Sequence, residues 1–169
     1  MKKYFLLTPG PANISDRVAK AQLNIYTCHR DKEFIALMQG IREKLVKLAK
    51  GDENYTSILI TSSGTGAVEA ALSSCVNDSE KILIINNGSY CERMIDISQI
   101  YNIPNTSLDY EWGKLPNLEE IEVKLKEDKE ITHIGMVHHE TTTGVLNPLH
   151  EIGQLAKKYN KILIVDAIS

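Results

Sequence analysis

The 169-residue sequence predicts an α/β fold, a three-layer αβα arrangement around a mainly parallel sheet. Two patterns predict it. From residue 57 onward, short β-rich runs alternate with stretches of helical period, which implies right-handed βαβ units. Two of the runs, residues 82–85 (Ile-Leu-Ile-Ile) and 162–165 (Ile-Leu-Ile-Val), are apolar at every position, as strands covered on both faces are. A hydrophobic share of 43% is enough to fill such a core.

The elements follow in order. Tyr4 to Leu7 read as an extended arm ending in Thr8, Pro9, Gly10 and Pro11, a turn stiffened by two prolines around a flexible glycine. Asp16 is expected to cap a short helix to about Ile25, followed by a polar loop over 26–30. Asp31 is then expected to cap a longer helix, with Phe34, Leu37, Met38, Ile41, Leu45 and Leu48 at helical spacing and Gly51 and Asp52 closing it. Strands are expected at 57–61, 81–86, 105–109, 132–137 and 161–165, and helices at 67–76, 90–101, 149–159 and around Leu118, Ile121 and Leu125. In the helix over 90–101, Met94, Ile97 and Ile100 or Tyr101 should point inward. Residues 102–116 read as the most irregular stretch, and the charge run over 119–129 as a solvated helix face.

Composition narrows the function. Acidic residues number 22 against 19 basic, a balance that argues against nucleic acid. Cys28, Cys75 and Cys91 are scattered and odd in number, which gives neither a disulfide framework nor a zinc site and suits a reducing cytoplasm. The apolar run after Met1, Lys2 and Lys3 is too short for a signal peptide, and no stretch reaches the roughly 18 apolar residues of a membrane span.

Ligands on such sheets bind at the carboxyl ends of the strands. Four polar or Gly-rich loops should meet there: 62–66, 86–90, 138–144 and 166–169. Ser62, Ser63, Gly64, Thr65 and Gly66 lie between a strand and a helix, where backbone N–H groups and the positive helix end suit a phosphate, although an ordinary capped turn has the same look. No lysine follows the glycines, so this is not a P-loop. Asp166 ends an apolar strand and reads either as a turn former or as a carboxylate for a ring nitrogen; without a second acid beside it, a metal is the weaker choice. Tyr90, after Gly88, is placed either to stack on a planar ring or to fill the core. His138 and His139 are adjacent on a strand and point to opposite faces, which disfavours one shared ion. Thr141, Thr142 and Thr143 before Gly144 offer hydroxyls to a phenolic or phosphate oxygen, or simply form a turn.

Taken together, the sequence resembles the N-terminal part of the class V, fold-type I aminotransferases that use pyridoxal 5′-phosphate (PLP), and within that group is most similar to the 2-aminoethylphosphonate–pyruvate transaminases. The resemblance rests on Leu7-Thr8-Pro9-Gly10-Pro11, Arg30 with Glu33-Phe34, Ser63-Gly64-Thr65-Gly66-Ala67-Val68-Glu69, Asn87-Gly88-Ser89-Tyr90 with Arg93, His139 through Pro148, and Val165-Asp166-Ala167, in the family's order. It implies a PLP-dependent transferase-like large domain over 26–169, incomplete, preceded by an arm and short helix over 1–25, with the C-terminal small domain absent. It implies that Asp166 keeps the pyridine nitrogen protonated and that Tyr90 stacks on one ring face, with Ile168 near the other. By the same resemblance Ser63, Gly64, Thr65 and Gly66 take the phosphate, Thr141 bonds the phenolic oxygen, and Thr8, Pro9, Gly10 and Pro11 line the substrate side. The expected partners are an amino donor and a keto acid, here 2-aminoethylphosphonate and pyruvate, and a second copy in a homodimer. No metal, nucleic acid or membrane is implied.

In this family the Schiff-base lysine follows the Val-Asp-Ala strand, so it is expected beyond Ser169. The chain is then expected to supply no catalytic residue, not to transaminate alone, and to self-associate or pair with a missing half through uncovered sheet. Cys91 stands where the family commonly has glycine. The alternatives are an alanine–glyoxylate or serine–glyoxylate aminotransferase, or a non-catalytic α/β assembly module. Cysteine desulfurases fit less well because they tend to stack a histidine at the position of Tyr90, and a generic nucleotide-binding domain lacks its motifs.

Overall fold

The computed structural model describes residues 4–8, 10–23 and 27–169. Two compact units make up the chain, Met1–Thr61 and Ser62–Ser169.

The first unit holds α1 (Asp16–Ala21) and α2 (Lys32–Leu48). In the arm, Asn13 pins the extended chain by accepting from Leu6 N (2.6 Å) and donating to Tyr4 O (3.1 Å). The Thr8 hydroxyl donates to Pro11 O at 3.1 Å, which closes the turn; Pro9 lies outside the described residues, as do residues 24–26, on which the expected end of the first helix falls. Ser15, not Asp16, is the N-cap of α1: its hydroxyl accepts from Val18 N, and Asp16 is the first helical residue, where its charge favours the helix dipole. Asp31 occupies the N-cap of α2 but makes no side-chain cap bond. At the other end the left-handed residue is Lys50 (φ 58°), and Gly51 N–H returns to Val46 O at 2.9 Å. No described residue of this unit is buried; Leu48 is 80% exposed and Ile35 55%.

The strand expected at 57–61 does not form among the described residues. The segment is extended, but its polar groups go to α2 rather than to a ladder. Arg42 Nε donates to Ser57 O (2.8 Å), and Ser57 Oγ donates to Arg42 O (3.1 Å). Alternating apolar residues make a chain extended; only a partner strand makes it a sheet.

The second unit is the α/β body. Its helices and strands are α3 (Gly64–Cys75), β1 (Lys81–Asn86), α4 (Ser89–Ile100), β2 (Asn105–Asp109), α5 (Leu118–Glu127), β3 (Ile131–Val137), β4 (His139–Glu140), β5 (Val145–Leu146), α6 (Leu149–Lys158) and β6 (Ile162–Asp166). Four strands pair in parallel in the order β2-β1-β3-β6, and β4-β5 form a small antiparallel hairpin. The period of two along each strand divides the core. Ile82 and Ile84 face α3 and α4, where Leu72, Cys91, Met94 and Ile97 pack, while Leu83 and Ile85 face α5 and α6, where Ile121, Leu125 and Ile152 pack. This is the three-layer arrangement, and it explains why these strands are apolar without interruption. In α4, Met94 and Ile97 are buried as expected, but Ile100 and Tyr101 are 74% and 46% exposed; Tyr101 instead donates its hydroxyl to Glu69 on α3. β2 forms at 105–109 as expected, and the rest of 102–116 lies outside helix and strand.

Candidate cofactor site

Strand register sets the rim. In β3 and β6, Val137 pairs with Asp166, so the two strands end together. His138 N–H then donates to Asp166 O at 2.8 Å, which carries the pairing one residue past β3. Half-buried Asp166 turns its Oδ1 to its own loop, accepting from Ile168 N at 3.1 Å, and no hydrogen bond from the described residues engages Oδ2. Beside it α3 begins. A Cβ on Gly64 would meet only the side chain of exposed Ile168, whereas one on Gly66 would overlap both Oγ and Cβ of Ser62.

Gly64, Thr65, Tyr90, Asp166 and Ile168 line one cavity of about 200 Å³, together with Arg93 and His139. Ser63, Gly66 and Thr141 are outside its lining. Ser63 is the N-cap of α3, makes no side-chain cap bond, and no acidic residue follows in the first turn. Thr141, half-buried, begins the turn of the β4-β5 hairpin. Thr8, Gly10 and Pro11 belong to the first unit.

Arg93 lies one turn after Tyr90 on the same face of α4, the separation that brings side chains together. Its guanidinium sits 5.7 Å from the centre of the Tyr90 ring, and its Nη1 donates to Thr65 Oγ1 at 3.0 Å. It thus bridges the aromatic and the start of α3. The sequence pattern contained this signal, a residue three after the aromatic, but gave it no role.

Glu140 was also missed. Its side chain is fully buried, yet it is a carboxylate. Oε2 accepts from Tyr90 N at 3.1 Å; Oε1 accepts from Thr142 N at 3.2 Å and from Thr142 Oγ1 at 2.6 Å. Thr142 Oγ1 in turn accepts from Ser89 N at 3.3 Å. The N-terminus of α4 is therefore capped from another segment of the chain. Its own N-cap is Gly88, where a Cβ would overlap the Glu140 side chain. Behind this, Asn87 and Asn147 form a buried reciprocal amide pair (2.8 and 3.2 Å), and Asn147 Nδ2 also donates to Val137 O at 2.8 Å. Burial pushes the Cys91 thiol up to about 11, against a bond with Asn87 that lowers it, and the Glu140 carboxylate adds to the rise. At this position the chain thus carries a neutral thiol at ordinary pH.

The cavity offers an open helix start and a guanidinium on one side, a carboxylate on the other, and an aromatic ring. That donor set suits a ligand with an anionic tail, a planar ring and a protonated nitrogen.

The aminotransferase class-V family matches residues 4–169. The chain belongs to that family. Its cofactor is pyridoxal 5′-phosphate. The chain is 46% identical over 167 residues to the bifunctional phosphonoacetaldehyde hydrolase/aminoethylphosphonate transaminase of Clostridioides difficile, covering 98% of this chain and 26% of that protein. It is 44% identical over 169 residues to the 2-aminoethylphosphonate–pyruvate transaminase of Klebsiella pneumoniae, covering 99% of this chain and 46% of that relative. Among solved structures, alanine–glyoxylate aminotransferase from Nostoc sp. superposes with a TM-score of 0.88 at 29% identity, over 98% of this chain and 43% of that one. The chain thus spans less than half the length of these relatives. No helix among the described residues is long and apolar enough to cross a membrane.

Proposed function

We propose that the chain is the cofactor-binding part of a PLP-dependent aminotransferase that moves an amino group from 2-aminoethylphosphonate to pyruvate, giving phosphonoacetaldehyde and alanine. The observation that carries this reading is the shared cavity of Gly64, Thr65, Tyr90 and Asp166. The 44–46% identity to phosphonate transaminases, against 29% to the alanine–glyoxylate enzyme, supports the phosphonate branch.

The cofactor, when bound, supplies a ring that withdraws electrons from the carbon bearing the amino group. The chain's own residues bind and orient it. The start of α3, with Ser63, Gly64, Thr65 and Gly66, receives the phosphate. Asp166, through its unengaged Oδ2, holds a proton at the ring nitrogen. Tyr90 covers one face, Ile168 lies toward the other, and Thr141 bonds the phenolic oxygen. Thr8, Pro9, Gly10 and Pro11 line the substrate side. No lysine lines the cavity among the described residues, so the work of this segment is binding and orientation. The domain division at residues 25 and 26 and a homodimer belong to the same reading, and the exposed Ile35, Leu37 and Leu48 on α2 support the dimer. Three free cysteines support a cytoplasmic protein.

Pyridoxamine 5′-phosphate tests the reading, since its amine does not condense with surface lysines. Its fluorescence is expected to report saturable binding that falls at least tenfold in Asp166→Ala. Absence of saturable binding would overturn the proposal. Turnover of 2-aminoethylphosphonate with pyruvate, compared with alanine and glyoxylate, tests the substrate once the segment is joined to the lysine-bearing C-terminal half of a related class V enzyme; faster turnover of the second pair would move the assignment to the alanine–glyoxylate type.

A further inference from the structure

We infer that Glu140 is a positioning residue: its buried carboxylate locks the first turn of α4, which carries Tyr90, to the hairpin turn that begins at Thr141, and so fixes Tyr90 at the cavity wall. The inference rests on the cofactor reading above. The geometry is specific to a carboxylate. Its two oxygens accept from four donors: Tyr90 N (3.1 Å) and Cys91 Sγ (3.7 Å) on Oε2, and Thr142 N (3.2 Å) and Thr142 Oγ1 (2.6 Å) on Oε1. Tyr90 N and both Thr142 groups donate, and the Cys91 thiol shares its one proton between Glu140 Oε2 and Asn87 Oδ1, each at 3.7 Å, so an amide in the same place would set its NH2 against donors on one side. One acceptor pair therefore holds both the backbone of the stacking residue and the turn after Thr141.

The arrangement also explains Gly88. The carboxylate occupies the space where a Cβ would stand, so the N-cap position of α4 is filled by a side chain 52 residues later in the sequence. A buried charge placed at a positive helix end is stabilised there, and bonds to ionised groups are roughly twice as strong as neutral ones. Glu140 is not among the residues that line the cavity. Its effect on a ligand passes through Tyr90 and the hairpin turn.

The test is binding by the 169-residue chain of two probes, pyridoxamine 5′-phosphate and inorganic phosphate, in wild type, Glu140→Gln and Thr142→Ala. Amide hydrogen exchange is read in the absence of ligand. Glu140→Gln keeps the size of the side chain and removes one acceptor. It is expected to weaken pyridoxamine 5′-phosphate more than tenfold, to leave inorganic phosphate within twofold, and to speed exchange at Tyr90 and Thr142 more than tenfold while amides of β1 are unchanged. Thr142→Ala, at an exposed position, decides the matter should the first variant fail to fold. It is expected to give a loss of about threefold for pyridoxamine 5′-phosphate in the same pattern. Equal loss of both probes, or exchange at Tyr90 that does not respond, overturns the positioning role and shows Glu140 to be packing alone. Wild type that binds phosphate but not pyridoxamine 5′-phosphate overturns the cofactor reading and the positioning role with it. Wild-type binding that both variants retain overturns only the latter.

Discussion

Two helices begin at the same rim and end up with opposite characters. At α3, the N-cap Ser63 makes no cap bond, the first turn holds no acid, and the start of the helix lies against a cavity. At α4, the N-cap is Gly88 and also makes no bond of its own, yet Glu140 and Thr142 reach in from the hairpin and take the amides of Tyr90 and Ser89. Both starts carry about half a positive charge. One is met by a carboxylate from inside the protein, and the other has no acidic residue in its first turn. A helix start becomes an anion site only where the fold withholds its own anion, and in this rim the fold withholds it at α3 alone.

The comparison breaks most visibly at the glycines. Gly88→Ala drives a methyl into the buried Glu140 side chain, and is expected to destabilise by about 2–3 kcal/mol in urea unfolding. Gly64→Ala meets only Ile168, which is 59% exposed and can turn away, so its cost should stay within about 1 kcal/mol. Equal costs at the two positions would mean that the α4 start is not closed as described.

Supplying the missing anion sharpens the contrast. Ser63→Asp places a carboxylate at the open start of α3, and is expected to raise stability by about 0.5–1 kcal/mol while weakening inorganic phosphate more than tenfold. Stability without loss of phosphate binding would put the anion elsewhere.

The smallest effect separates the rim from remote charge. Glu122 accepts from Lys158 (2.6 Å) and Tyr159 (2.6 Å), which holds its carboxyl down from 4.5 to about 2. Because the folded value lies below the unfolded one, its contribution is present above about pH 4.5 and is lost as pH falls toward about 2. Glu122→Gln should therefore flatten part of the acid limb of the unfolding curve. Whatever acid sensitivity remains then belongs to other carboxylates, among them Asp128, whose carboxyl the Lys81 ammonium holds down.

Much of this was legible in the sequence, and the exceptions have one cause. The α/β body was readable because its signals are local: 82–85 and 162–165 are apolar throughout, and Ile121 and Leu125 recur at helical period. Tyr90 and Asp166 were readable as strand-end features and the Gly-rich turn as a helix start, and the family pattern tied them together. Glu140 was not, because nothing near it in sequence marks it as buried; the helix start it meets, at Tyr90, is 50 residues away. The strand expected at 57–61 failed for the converse reason. Its local pattern was right for extended chain, but the polar groups of Ser57 went to Arg42. Ser15 displaced Asp16 as cap because a capping pattern places the residue only to within one position. Ile100 and Tyr101 lay at the frayed end of α4, where Tyr101 found Glu69 rather than the core.

The most direct test of the open and closed starts is a titration of the chain with inorganic phosphate, followed residue by residue through backbone amide resonances. The account predicts that Gly64, Thr65 and Gly66 shift progressively and saturably while Ser89 and Tyr90 stay still. Shifts at Ser89 and Tyr90 with an unmoved α3 would contradict it.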